Sequence, residues 1–338
     1  MKNIIYHILF FICLASITAC KGGIGGSAMT GEPGELLVII NDELKNAETG
    51  EKVLEILNEE DSGLTQSEPP FSTILLSRNN FSSTFRSYRN ILFLDVNKKY
   101  TTPQIQYRKD LWAQHQAYAS VGVSTAEELT KVLENKHDNI IEYFVKSEIE
   151  RYQQLYKSAN NQIVEKAIKN QFDINISVPN GYNVNKTADD FMWISLESKV
   201  HSQGLIIYER PYTDTAQFNK TALLNYRDSI VKVHIPGPSE GSYMTTEYIL
   251  PIQYNIGTYV NDDYTIELRG KWRVENDFMA GPFTSYTFCN LQKNKLITIE
   301  GYVYYPNKEK RNFMRQLQAI CRSVTFDKIV VKPENNGN

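Results

Sequence analysis

Histidine and cysteine are both scarce in this chain, 5 and 4 among 338 residues. Beyond the first twenty positions the histidines are His115, His137, His201 and His234. They are widely scattered, and no two fall at helical metal-ligand spacing, so no metal site is expected. No glycine-rich loop follows a strand and opens a helix, so no phosphate cradle and no cofactor are expected. An excess of positive charge is also missing. The formal net charge is -3, and nucleic acid, which requires a basic footprint, is excluded as a partner. Long hydrophobic runs are absent too. The most apolar stretch, 4–17, falls short of the roughly 20 residues of a spanning helix.

That short run reads as an address. Lys2 is the only charge before Cys20, and Ile17-Thr18-Ala19-Cys20 is a branched aliphatic and two small residues followed by cysteine. A basic start, a short apolar region and small residues at its end make a secretory leader. Its last four residues resemble the bacterial lipobox, which implies cleavage before Cys20 and a diacylglycerol on its thiol. Several acyl chains, at about 0.8 kcal/mol per buried methylene, make a stable anchor. Lys21-Gly22-Gly23-Ile24-Gly25-Gly26-Ser27 then reads as a flexible tether. No acidic cluster follows Cys20, which favours a periplasm-facing anchor. The expected location is the cell envelope, lipid-anchored, at the outer membrane facing the periplasm.

The remainder has the apolar and charged fractions of a globular protein. Its 21 tyrosines suit a β-rich body, and also a sugar-binding surface. A continuous apolar run at 35–40 is a buried strand, 50–58 has helical spacing, and 71–76 and 91–96 read as strands. Over 111–123 small and apolar residues alternate, with Ala113, His115, Ala117, Ala119, Val121 and Val123 on one side. This would put His115 in the core. Ser124-Thr125-Ala126-Glu127 forms a capping box that opens a helix to about residue 172, broken near 137–139. In the second half 173–178, 191–196, 205–208, 243–251, 264–274, 283–289 and 296–305 read as strands. Helices are expected at 218–233 and 308–321, the latter capped by Asn307. The class is α+β: two α+β halves with mainly antiparallel sheets packed by helices, joined by a long helical segment. The divisions are a leader at 1–19, a lipidated tether at 20–34, halves at 35–172 and 173–331, and a loose tail at 332–338.

Several short motifs then occur in one order: Gly31-Glu32-Pro33-Gly34-Glu35, Glu68-Pro69 with Phe71, Arg89-Asn90-Ile91 and Trp112-Ala113. They continue with Ile235-Pro236-Gly237-Pro238, Glu240-Gly241-Ser242-Tyr243-Met244, Leu268-Arg269-Gly270 with Trp272, and Asp277-Phe278-Met279 with Gly281-Pro282-Phe283. Gly301-Tyr302-Val303-Tyr304 with Pro306 closes the series. In these the chain resembles, over nearly its whole length after the leader, the DUF4837 family of bacterial envelope lipoproteins, whose function is unknown. Ala280, Tyr305 and Lys271 depart from the family pattern. The resemblance implies an envelope location and no activity. More loosely, the second half resembles a PsbP/Mog1-type sandwich, which implies a fold and no function.

Once Cys20 is lipidated, Cys289 and Cys321 remain. An even count in an oxidising compartment suggests a disulfide. Against it, alternation sets Cys289 opposite Tyr286 and Phe288, while Cys321 follows Phe313 and Leu317 on the apolar face of a helix. If that helix covers the Tyr286/Phe288 face, the two sulfurs lie on opposite sides of the sheet.

The best polar constellation is the strand at 264–274. Tyr264, Ile266, Leu268, Trp272 and Val274 share one face, and Glu267, Arg269, Lys271 and Arg273 the other. Arg269 offers a bidentate fork for a carboxylate or phosphate. The expected function is a non-catalytic binding or assembly protein with a cleft between its halves. Arg269, Trp272 and the 235–244 loop, with Glu240 and Tyr243, would form the rim, and Glu68 and Arg89 would reach this region from the first half. The expected partners are the membrane, through the lipidated N-terminus, and an envelope protein or glycan. The alternative is an envelope hydrolase acting on glycan or peptide, either through Ser242 with His201 or His234 as base or through an acidic pair. Met244 occupies the last place of the Gly-x-Ser-x-Gly pattern such a nucleophile would need.

Overall fold

A strand that reads as an unbroken apolar run can be buried on both faces, as the strands of a parallel sheet are. β1 (Glu35–Ile40) is such a run, and every residue from Leu36 to Ile40 is buried. The computed structural model describes residues 28–60 and 68–327. The expectations for the leader, for Cys20 and for the tail at 332–338 lie outside these residues. In the first half β1 is flanked by β2 (Ser72–Ser77) and β3 (Asn90–Val96), and β3 by β5 (Ala117–Val123), all parallel. Only the edge strand β4 (Gln104–Lys109) is antiparallel, paired with β5. This corrects the expectation of mainly antiparallel pairing for the first half. Parallel neighbours need crossovers, and α1 (Glu48–Leu57) provides the one between β1 and β2.

One face of this sheet packs on α1 and on the first half of α2 (Ala126–Ser158), through Val53, Leu57, Leu129, Leu133, Ile140 and Phe144. Leu37, Ile39 and Ile91 on the other face are covered by loop aromatics, among them Phe81, Phe85 and Trp112. His115 is not in the core. It is exposed, with φ 62°, in the turn before β5. The α2 cap sits one residue later than expected: the Thr125 hydroxyl accepts from the Glu128 amide, and the Glu128 carboxylate accepts from the Ser124 amide and hydroxyl. The helix runs through His137-Asp138-Asn139, which contains neither proline nor glycine. It ends at Ser158, and Asn161 caps α3 (Gln162–Phe172).

The second half is an antiparallel sheet in the order β10-β11-β12-β13-β8-β7-β6, with β9 paired to the far end of β11. Its strands are β6 (Asn183–Ala188), β7 (Phe191–Glu197), β8 (Ser202–Pro211), β9 (Tyr243–Glu247), β10 (Gln253–Val260), β11 (Asp263–Glu275), β12 (Ala280–Asn290) and β13 (Lys295–Tyr304). Residues 173–178 form no strand; Ile174, Ile176 and Val178 nonetheless point into the core. α3 and α5 (Arg311–Cys321) cover one face, where Phe172, Leu317 and Cys321 meet Tyr286 and Phe288. α4 (Lys220–His234) covers the other, over Ile206, Ile266, Trp272 and Phe283. α5 settles onto β13 at Gly301, where an added Cβ would stand 2.6 Å from that of Leu317.

Cys289 packs in the cluster beneath α4 and Cys321 in the cluster beneath α5. They lie on opposite faces of the sheet, and both thiols are free. The disulfide suggested by the even count is therefore absent: α5 does cover the Tyr286/Phe288 face. Among the described residues no helix is long and apolar enough to cross a membrane.

Candidate functional site

The two halves meet along a seam built on the N-terminus of α5. Asn307 does not cap this helix. The cap comes from the other half of the molecule: the Glu68 carboxylate accepts from the backbone amides of Lys310, at 2.8 and 3.0 Å, and Arg311, at 2.9 Å. The first amides of a helix have no partner within it, and a carboxylate there also meets the positive end of the helix dipole. Around this cap Arg311 donates to the Pro69 carbonyl at 2.6 Å and the Ser72 hydroxyl at 3.0 Å. Arg315 donates to the Pro70 carbonyl and stacks over the Phe71 ring.

Beside the seam lies a cleft of about 1400 Å³. The later turns of α2 form one wall, with Glu142, Val145 and Ile149, and β10 forms the other, with Asn255 and Tyr259. α5 contributes a polar stripe of Arg311, Arg315 and Gln318, continued by Arg322 just beyond the helix. At the base Glu267 is buried. It accepts from the Tyr286 hydroxyl, from Arg322 Nη2 at 3.0 Å and from Asn255 Nδ2 at 3.1 Å. Arg322 Nε donates to the Tyr286 oxygen at 2.9 Å, and its guanidinium lies over the Tyr259 ring. Burial pushes the Glu267 carboxyl up, but Arg322 and Arg269 more than offset it and hold it below the usual carboxylate range. The result is a fixed anion ringed by donors, with aromatic and amide side chains around it.

Of the residues expected to share one site, only Arg269 lines this cleft, half-buried two positions along β11 from Glu267. Trp272 is 1 % exposed and lies on the opposite sheet face, packed on Tyr302 and Tyr304. Strand alternation itself separates it from Arg269. Glu240 is exposed in the turn before β9, and Tyr243 is half-buried with the Lys232 ammonium over its ring. Glu68 is the cap described above. Arg89 does not reach this strand. It makes a buried fork onto Glu148 of α2 at 2.8 and 2.6 Å, and Arg151 approaches the same carboxylate at 2.9 Å. The cationic face of β11 also divides, since Arg273 pairs with Glu275 at 2.5 Å and with Glu247 at 3.7 Å, beside β9.

Among the described residues Ser242 has neither histidine beside it. The Ser242 hydroxyl donates to the Ser239 carbonyl at 2.5 Å and accepts from the Ser239 amide at 3.1 Å, closing a turn. His234 stacks on Phe191, and His201 bonds Ser198 and packs on Phe313. Neither histidine touches Ser242. Among the described residues no three His, Cys, Asp or Glu side chains gather as metal ligands. A second buried ion pair, Arg227 of α4 with Glu300 of β13 at 2.7 and 2.6 Å, lies under α4 and away from the cleft.

A family model described as a domain of unknown function, DUF4837, matches residues 160–323. The second half of this chain is similar to the DUF4837 family over this stretch. A different model, DUF8532, also a domain of unknown function, matches residues 29–157. The DUF4837 resemblance is therefore narrower than the motifs suggested. Those at 31–35, 68–71, 89–91 and 112–113 fall in the DUF8532 match, and the two matches part where α2 gives way to α3. No curated protein matches the chain. A solved structure of a variant of the protein Mog1 is similar at 10% identity, over 45% of this chain and 89% of that one, with a TM-score of 0.30. The DUF4837 half supplies the base of the cleft and the β10 wall, and the DUF8532 half supplies most of α2.

Arg322, Tyr259 and Asn255 were not singled out from the sequence. One signal was available. Arg311, Arg315, Gln318 and Arg322 recur at steps of four, three and four, which is one face of a helix.

Proposed function

We propose that this protein is a lipid-anchored binding protein of the cell envelope. It would act without catalysis and hold a protein segment or glycan in the cleft between its halves. The observation that carries this reading is the cleft itself. It is large, and its base is the Glu267–Arg322–Tyr286 group, with Arg269 beside it and Tyr259 and Asn255 on its wall. Concave sites with a few fixed polar groups are where ligands bind. Arginine forks, amides and tyrosine rings are suited to carboxylates, peptide groups and sugar hydroxyls. The leader and Ile17-Thr18-Ala19-Cys20 support anchoring through Cys20, at the outer membrane and facing the periplasm.

The test is in-cell photo-crosslinking of the tagged full-length protein from position 255 or 259, with and without Arg269→Ala. One envelope protein recovered repeatedly, and at least about tenfold less with Arg269→Ala, is the expected result; about 1.4 kcal/mol of lost binding would suffice. A variant that melts normally and keeps every partner would remove Arg269 from the site. Capture of no protein would direct the search to envelope glycans on the purified protein.

A further inference from the structure

The anchored-lipoprotein reading also bears on how the body is oriented, and two turns of the second sheet take part in that. At one end of this sheet lie the β7–β8 turn (198–201) and the β11–β12 turn (276–279). The registers Glu197↔Ser202, Ser202↔Tyr304 and Arg273↔Ala280 place both past the same edge, with three strand spacings of ~4.8 Å between them. Each turn presents an apolar side chain to solvent, Phe278 at 105% and Val200 at 64% exposure.

Neither turn is loose. The Asp277 carboxylate accepts from the Phe278 amide at 2.7 Å, the Met279 amide at 3.2 Å and the Ser239 hydroxyl at 2.7 Å. The Ser198 hydroxyl accepts from the Val200 amide at 3.3 Å and the His201 amide at 3.0 Å. Both side chains are therefore held out by a fixed backbone, with no core to enter.

The N-terminal segment joins the body at this same end. Asn312, in the first turn of α5, donates to the Pro33 carbonyl at 2.8 Å, and its neighbour Phe313 packs 4.6 Å from the His201 ring in the β7–β8 turn. From Cys20 to Ala28 is eight residues, which span at most about 28 Å. A lipid on Cys20 would keep Ala28 within that distance of the bilayer, and the end of the sheet that this segment joins nearer to it than the other. Charges of both signs occur at this end, with Lys199, Lys308, Glu240 and Glu309 exposed and the Asp277 carboxylate in the turn itself, so attraction to headgroups is not the driving term. Fixed, solvent-exposed apolar tips near a short lipid tether fit a hydrocarbon boundary.

We propose that this end of the DUF4837 half docks on the bilayer, with Phe278 and Val200 inserted at the acyl–headgroup boundary. The inference rests on the anchored-lipoprotein reading. It would fix the body's orientation, with the opposite edge of the sheet turned away from the membrane.

The experiment uses the full-length, lipidated protein in vesicles of phosphatidylethanolamine and phosphatidylglycerol, with a photo-crosslinking phenylalanine at position 278, 200 or 291. Leu291 is the control. It is 77% exposed, but it lies at the other end of β12, an 11-residue strand about 35 Å long. Lipid adducts at 278 and 200 should exceed those at 291 by about tenfold and persist at 1 M salt. Phe278→Asp, which disturbs no packing, should cut the adducts at 200 by about tenfold. Equal adducts at all three positions would overturn the proposal, and so would adducts at 278 to protein in place of lipid in whole-cell membranes. Metabolic labelling with an alkyne fatty acid, read at Cys20 in the same preparation, separates the two failures. A labelled Cys20 with no adduct at 278 refutes the docking alone; an unlabelled Cys20 refutes the anchor and the docking together.

Discussion

Replacing Glu68 should loosen the joint between the two halves. Glu68 is 3% exposed, and its carboxylate accepts from the amides of Lys310 and Arg311 at the start of α5. Loss of an N-cap side chain costs about 1 kcal/mol, and an anion at a partly buried helix N-terminus contributes up to about 2 kcal/mol. Each buried amide left without a partner costs about 1–3 kcal/mol. These terms overlap, so Glu68→Ala should lose about 3 kcal/mol in all. Glu68→Gln keeps one acceptor oxygen and should lose about 1 kcal/mol. Tryptophan fluorescence in urea is a suitable assay because Trp112 reports on the first half while Trp193 and Trp272 report on the second. In single-tryptophan versions the wild-type curves should coincide, and those of Glu68→Ala should separate. Coincident curves and a stability within ~0.5 kcal/mol of wild type, the range of ordinary surface substitutions, would refute the reasoning.

Three further expectations concern buried groups. Arg227→Met leaves the Glu300 carboxylate buried without its partner, with a loss of about 3–5 kcal/mol in thermal melts; adding Glu300→Leu should restore most of it. Equal destabilisation by the single and double variants would show that the charge is not the cause. Burial pushes the Asp95 carboxyl up, but Lys99, Tyr100 and Arg78 outweigh it and hold it down at about 2. The ionised form is thus favoured by folding, so this stabilisation is complete above the ordinary value of about 4 and is lost as pH falls through about 2. Glu148, raised by burial but lowered further by Arg151 and Arg89, acts in the same direction. Melting temperature should therefore fall below about pH 4, less steeply in Asp95→Asn; parallel acid limbs would discount Asp95. Burial also raises the thiol pKa of both Cys289 and Cys321. Alkylation without reductant should label both after unfolding and leave Cys321 untouched in the native protein, whereas a thiol pair that needs reductant first would contradict the opposed faces.

Local pattern was enough for much of the body. The apolar runs of β1 and β3, the apolar stripe of α5 and the alternation in β11 and β13 made these elements and the α+β class legible, because each buries one or both faces along its whole length. The same alternation, with the apolar face of α5, anticipated that the two thiols would lie apart. β4, β6 and β10 were missed for the converse reason. They are edge strands with mostly solvated side chains, and backbone pairing to one neighbour defines them. Whether the first sheet is parallel was not readable either, since an apolar run specifies burial and not direction.

The cleft depended on contacts that no local spacing encodes. Glu68 meets Lys310 across 242 positions, and Arg89 meets Glu148 across 59. Both were singled out as charged residues and both proved to be buried in the framework, because a charge is drawn to whichever opposite group or free helix end the fold brings near. Sequence determined which faces of the elements are apolar. Tertiary structure decided which polar groups are used up in holding the halves together, and which are left to line the space between them.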